Sequence, residues 1–224
     1  MSRLGFLTAV VELRLAEAFI DLRDLERAGS HANKALEVVQ MARVHMQQAA
    51  KAQFGRIHLL EGNLIQAQEI ESDLESLAGS ESMFSVSFSL PVWQVQIGLA
   101  LARENTAYAV RRTEEAISLA EKFSIRIYLP VLQTLLARGL WQQGDELAAR
   151  QALAAAEAVT REMGARRYLW SILAQQALWA EDEETAEKLR VSARAEVNTM
   201  LEDIGTPELR QSFLERQEIK QLMA

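Results

Sequence analysis

Gly144-Asp145-Glu146-Leu147-Ala148-Ala149 is the stretch on which the reading of this chain turns. Aspartate is a strong helix N-cap, because its carboxylate accepts a hydrogen bond from a free backbone N–H of the first turn. Asp145 therefore opens a helix, and Ala149 sits one turn inside it. An alanine there leaves room for a preceding helix to approach closely. Four other segments share the layout: Arg23-Asp24-Leu25-Glu26-Arg27-Ala28, Gly62-Asn63-Leu64-Ile65-Gln66-Ala67, Glu104-Asn105-Thr106-Ala107-Tyr108-Ala109 and Glu181-Asp182-Glu183-Glu184-Thr185-Ala186. Their final alanines are 39, 42, 40 and 37 residues apart, which marks an internal repeat.

A second small position lies twelve residues before each alanine, at Ala16, Gly55, Ala137 and Ala174, with Ile97 beside Gly98 in the third repeat. Seven residues after it come Ala35, Leu74, Ala116, Ala156 and Ala193. Small residues at these points let two antiparallel helices meet across a tight turn. Apolar residues between them keep helical spacing, as in Leu15/Phe19/Leu22 and Leu136/Leu140/Leu147. The pattern predicts one all-α domain over residues 1–224, with helical hairpins at about 2–41, 44–78, 91–122, 128–163 and 167–203. A capping helix is expected over 207–222, opened by Thr206 and Pro207 and carrying Leu209, Phe213, Leu214, Ile219 and Leu222.

Residues 79–91 resist this frame. Ser80, Ser82, Ser85, Ser87 and Ser89 alternate with Phe84, Val86, Phe88 and Leu90, which is a strand pattern. A lone strand among helices has no ladder partner, so a connector into the third hairpin is preferred, with a helix kinked at Pro91 as the alternative. Residues 1–22 carry more apolar side chains than one narrow stripe holds, among them Leu4, Leu7, Val10 and Val11. The expectation is that this end belongs to a longer array or pairs with a second copy as a homodimer.

Composition narrows the function classes. The chain has 224 residues, is 49% hydrophobic and 25% charged, and contains 10 Gly, 3 Pro and no Cys. Disulfides and thiolate metal sites are excluded, and a reducing, cytoplasmic location is expected. The net charge is −7, and its basic residues occur singly or in pairs such as Arg111-Arg112 and Arg166-Arg167. That argues against direct nucleic-acid binding. No apolar run is long enough to span a membrane, and Met1–Leu15 reads as an amphipathic helix rather than a signal peptide.

Few residues stand in patterns that carry chemistry. His31, His45 and His58 form no metal-binding pair at helical spacing, and Glu181–Glu184 suits the positive end of a helix better than a cation. No nucleophile lies in a recognisable motif, so neither an enzyme nor a cofactor nor a metal is expected. Trp93, Trp141, Trp170 and Trp179 read first as packing between repeats and second as anchors for a partner. Projecting the repeat places Glu17, Arg56, Gln94, Arg138, Trp141, Tyr168, Gln175 and Trp179 on the face formed by the first helix of each hairpin. Arginines, amides and aromatics together suit a polar peptide or an acidic side chain.

Leu15-Ala16-x-x-Phe19 before Ala28-x-x-x-Ala32-x-x-Ala35, and Trp170-x-x-Leu173-Ala174 before Ala186, resemble the tetratricopeptide repeat. The usual tyrosine of the first helix is replaced by Phe19, His58, Leu140 and Ala177, and the period is near 40 rather than 34. This longer form, with the ending Thr206-Pro207-Glu208-Leu209-Arg210-Gln211-Ser212-Phe213-Leu214, resembles the C-terminal repeat region of large bacterial signalling ATPases and maltose-activator-type transcriptional regulators. The resemblance implies a right-handed solenoid that binds a protein or peptide segment, with catalytic and DNA-binding parts elsewhere. The alternative it implies is a sensor for a small effector.

Overall fold

The computed structural model describes residues 3–39, 44–74 and 82–224. Among these residues it is all-helical, and the chain divides into two compact units, Met1–Phe123 and Ser124–Ala224.

The first unit holds α1 (Arg3–Asp21), α2 (Leu25–Val38), α3 (Val44–Glu61), α4 (Leu64–Asp73), a short α5 (Met83–Val86), α6 (Leu90–Ala102) and α7 (Thr106–Lys122). The second opens with a 3-10 turn at Arg126–Tyr128. It continues through α8 (Leu129–Gln142), α9 (Glu146–Met163), α10 (Arg166–Leu178), α11 (Glu183–Asp203), α12 (Pro207–Leu214) and α13 (Gln217–Met223). Helices pack in chain order: α1 on α2, α3 on α4, α6 on α7, α8 on α9 and α10 on α11.

The turns within these pairs explain the pairing. In four of the five, the residue before the cap adopts a left-handed backbone: Arg23 (φ +62°), Gly62 (+76°), Glu104 (+58°) and Gly144 (+83°). The next residue's N–H then reaches back to a carbonyl of the helix just ended: Asp24 to Phe19 at 2.9 Å, Asn63 to His58 at 2.8 Å, Asn105 to Ala100 at 2.9 Å and Asp145 to Leu140 at 3.0 Å. This is the Schellman way of closing a helix C-terminus. All five expected caps stand at helix N-termini, and Asp24, Asn105, Asp145 and Asp182 accept from the backbone N–H three residues on. Asn63 holds the position without that bond; its amide donates to Glu61 instead. The fifth turn, at Asp182, is the longest of the five and has no left-handed residue.

The small positions are where the helices touch. Ala16, Ala28, Ala35, Ala67, Ala109, Ala116, Ala137, Ala149, Ala156 and Ala193 are all buried. At Gly55 an added Cβ would stand 2.8 Å from Val95 Cγ2 and 3.2 Å from Ile70 Cγ2, closer than packed carbons approach. Ala52, Ala67, Val92 and Val95 form one core around that contact, and Ala9, Leu13, Ala35, Met46 and Ala50 form another. Ala174 is only half-buried, because it lines a cavity. On α1, Leu4, Leu7, Val11 and Leu15 face outward and are exposed.

Two expectations are refined. Within 79–91, residues 79–81 lie outside the described residues, and the remainder is not a strand but a short helix and a turn that connect into the third pair. Ser82 and Ser85 cap each other reciprocally to open α5, and a turn at Ser87–Ser89 leads into α6, where Pro91 fits the first turn without kinking it. Phe84 packs on Phe6 and Phe88, with ring centroids 6.1 and 5.2 Å away. The side chains alternate in type for capping, not for pleating. The capping helix, expected as one rod, breaks at Glu215–Arg216 into α12 and α13. Phe213 and Ile219 are six residues apart, so a continuous helix would turn them about 120° from one another. The break lets both be fully buried.

Two pairs of substitutions test these contacts. Glu104→Gly relieves a non-glycine residue in the left-handed region and should stabilise by about 0.5–1 kcal/mol, whereas Gly144→Ala should destabilise by a similar amount. Gly55→Ala should lower stability by about 1–3 kcal/mol through its clash with Val95. Gly29→Ala, whose nearest neighbours would be 3.8 and 3.9 Å away, should raise it by up to about 1 kcal/mol. Chemical denaturation of the four variants measures all of these.

Candidate functional site

The second unit contains a cavity of roughly 300 Å³ between α8, α10, α11 and α13. Trp170 of α10 forms part of its wall and is 1% exposed. Phe213 meets the indole edge-on at 6.0 Å, and the Arg216 guanidinium lies 4.7 Å above the ring. α13 is fixed in place by Arg194 of α11, whose Nε donates to the Leu222 carbonyl at 2.7 Å. The broken cap therefore builds one wall of the cavity, because only the kink carries Arg216, Glu218 and Gln221 back over α10.

Three guanidinium groups face one carboxylate around this cavity, in a chain whose net charge is −7. They differ in how far they are neutralised. Arg190 pairs with Glu183 and, at 2.8 Å, with Glu187, and its pKa is raised by the Glu187 hydrogen bond. Glu187, bonded to Arg190 and Arg194, is held below the usual carboxylate range. The stabilisation it gives is present above that range and lost as pH falls through its lowered folded value. Arg216 stands 3.9 Å from Glu218. Arg138 of α8 is exposed and makes no hydrogen bond or ion pair among the described residues. The Gln175 and Gln221 amides beside it likewise have no such partner. Leu178, at the rim, is 76% exposed.

The eight residues projected from the repeat separate into different environments. Arg138 and Gln175 share the cavity. Trp141 and Trp179 do not reach it; their rings stack on each other at 4.3 Å, within 2° of parallel, against the core formed by Ala137, Ala149 and Ile172. Tyr168 packs on that core too, with the Arg167 guanidinium 4.3 Å above its ring. In the first unit Glu17 is buried and accepts from Arg14 at 2.8 Å, and Gln94 is half-buried on α6. Arg56 is half-buried and donates at 2.8 Å to Gln53, which is fully buried with its own amide nitrogen unpartnered.

Arg150 of α9 braces the tryptophan stack. Its guanidinium lies 5.6 Å above Trp141, and its Nε donates to the Trp179 carbonyl at 3.1 Å. Its other nitrogens bond Glu181 at 2.8 Å and Glu146 at 3.1 Å. Arg150 thus ties the turn after α10 to α9. Repeat projection missed Arg150, Arg190 and Arg216, because the first two belong to second helices and the third depends on the broken cap.

Among the described residues, no group of three His, Asp or Glu side chains is placed to hold a metal ion, and no helix is long and apolar enough to cross a membrane. His31 is instead bonded to Glu12 at 2.6 Å and stacked on Phe19. In comparisons with family models, curated proteins and solved structures, nothing matched the chain.

The strut role is tested by Arg150→Ala. Loss of the ring contact and of the bond to the Trp179 carbonyl should cost about 1–2 kcal/mol in thermal or urea unfolding. The change should also alter the near-ultraviolet circular dichroism of the stacked indoles.

Proposed function

We propose that this chain is a non-catalytic binding module whose ligand is a protein or peptide segment. Its helix pairs are successive tetratricopeptide-like repeats of a right-handed solenoid. The recurrence of one turn geometry at Arg23-Asp24, Gly62-Asn63, Glu104-Asn105 and Gly144-Asp145 supports that reading. So do the buried alanines one turn beyond each cap. The observation that carries the binding role is the cavity into which Arg138 and Gln175 project, since it leaves a charged group and two amides without protein partners. A polar group prepared in a concave site and left unsatisfied by its own chain is what a ligand exploits. The repeat layout and the ending at Thr206–Leu214 support a place as the cytoplasmic interaction part of a larger bacterial signalling or transcription-regulating protein.

The second reading is a small-effector sensor. It is favoured by the cavity's volume of roughly 300 Å³, at the lower end of small-molecule sites.

A thermal-shift screen of the intact chain against amidated peptides and a panel of common metabolites separates the two. Peptides should raise the melting temperature, and Arg138→Glu should abolish that rise while leaving the unliganded melt unchanged. Stabilisation by metabolites alone would favour the sensor. A response that Arg138→Glu leaves intact would place the ligand elsewhere.

A further inference from the structure

We infer that the cavity between α8, α10 and α13 recognises an acidic side chain within a peptide, next to an apolar one. This rests on the binding-module reading and names the chemistry of its ligand. An arginine side chain in water keeps its hydration, whereas one at the mouth of a half-enclosed cavity loses part of it and gains from a carboxylate in compensation. Arg190 already receives Glu183 and Glu187, and Arg216 has Glu218 beside it and an indole beneath. Arg138 has neither acid nor ring among the described residues. Its guanidinium is therefore the group in this cavity with a bidentate carboxylate site still open.

The neighbours of Arg138 refine the ligand. The amides of Gln175 and Gln221 offer N–H donors to a carboxylate's remaining lone pairs and can also serve a peptide backbone. Leu178 at the rim and Leu222 in the wall give the adjoining residue an apolar landing. Glu218, the one carboxylate at the cavity, stands by Arg216, so a second acid on the ligand would be repelled on that side. A phosphate or polyanion would gain less from one open arginine than from a cluster. The recognition unit is thus a single Asp or Glu beside a Leu, Ile or Phe.

The experiment is a selection from a random dodecapeptide library displayed at the N-terminus of a coat protein, so that no peptide has a free C-terminal carboxylate. The bait is the whole chain, and enriched sequences are remade as amidated peptides for fluorescence polarisation. The expected result is enrichment of an acid next to an apolar residue. Affinity should fall about 10- to 100-fold when that acid becomes its amide or when Arg138 becomes Gln, as expected for loss of a charge-assisted pair. Arg138→Glu should reverse the preference toward a lysine-bearing peptide. Peptides that bind without an acid, or that bind Arg138→Gln as well as the parent, would overturn acid recognition and leave the binding-module reading standing. Failure of any peptide to enrich would count against both. Unchanged melting of the Arg138 variants separates lost recognition from lost fold, since among the described residues the side chain has no hydrogen bond or ion pair of its own to lose.

Discussion

Each helix pair depends on reversing the chain within a few residues while providing for the free backbone groups at both helix ends. A helix closes with four carbonyls free, and the next opens with four free N–H groups. The turns at Asp24, Asn63, Asn105 and Asp145 serve both ends together. A left-handed residue swings the N–H of the next residue back onto the finished helix, and that next residue stands as the N-cap of the new one, with a side-chain cap bond at Asp24, Asn105 and Asp145. The reversal brings the two helices side by side so early that only alanine or glycine fits where they first touch. Close packing at Ala28, Ala67, Ala109 and Ala149 follows from the turn, and the turn is held by that packing. The longer turn at Asp182 makes the same reversal without the left-handed step, and there Arg150 supplies the tie from outside.

Much of this was legible in the residues. Caps and alanines at fixed offsets located the starts of α2, α4, α7, α9 and α11, because capping chemistry and side-chain volume are local properties. The left-handed residues were half hidden. Gly62 and Gly144 announce such a conformation, whereas Arg23 and Glu104 adopt it against their own preference because the surrounding helices demand it. The stretch from Ser82 misled through its alternation, since a serine pair spaced for a capping box and two phenylalanines spaced for one helical face also read as period two. The break in the cap could have been found by counting from Phe213 to Ile219.

The cavity was legible in the same uneven way. Arg138 and Gln175 each follow a small position of the repeat, so their shared face came from the frame itself. Trp141 lies on the helix of Arg138 and Trp179 just past the end of the helix of Gln175, but their rings turn toward one another and stack rather than line the cavity. The remaining walls required tertiary information, because Arg190 comes from a second helix and Arg216 from a kink. What distinguishes the site is a difference in neutralisation rather than a count of basic groups. Arg190 is closely paired with carboxylates, Arg216 has Glu218 at 3.9 Å, and Arg138 has no ion pair among the described residues.

That difference is open to direct measurement by following the arginine Nε–H resonances of the isotopically labelled chain. The probe is an acetylated, amidated glutamyl-leucine dipeptide added in excess. The Arg138 resonance should shift with saturation, while those of Arg150 and Arg190, already bonded to carboxylates, stay in place. A stationary Arg138 resonance would contradict the account of the cavity, and so would a uniform drift of all arginines that merely tracks ionic strength.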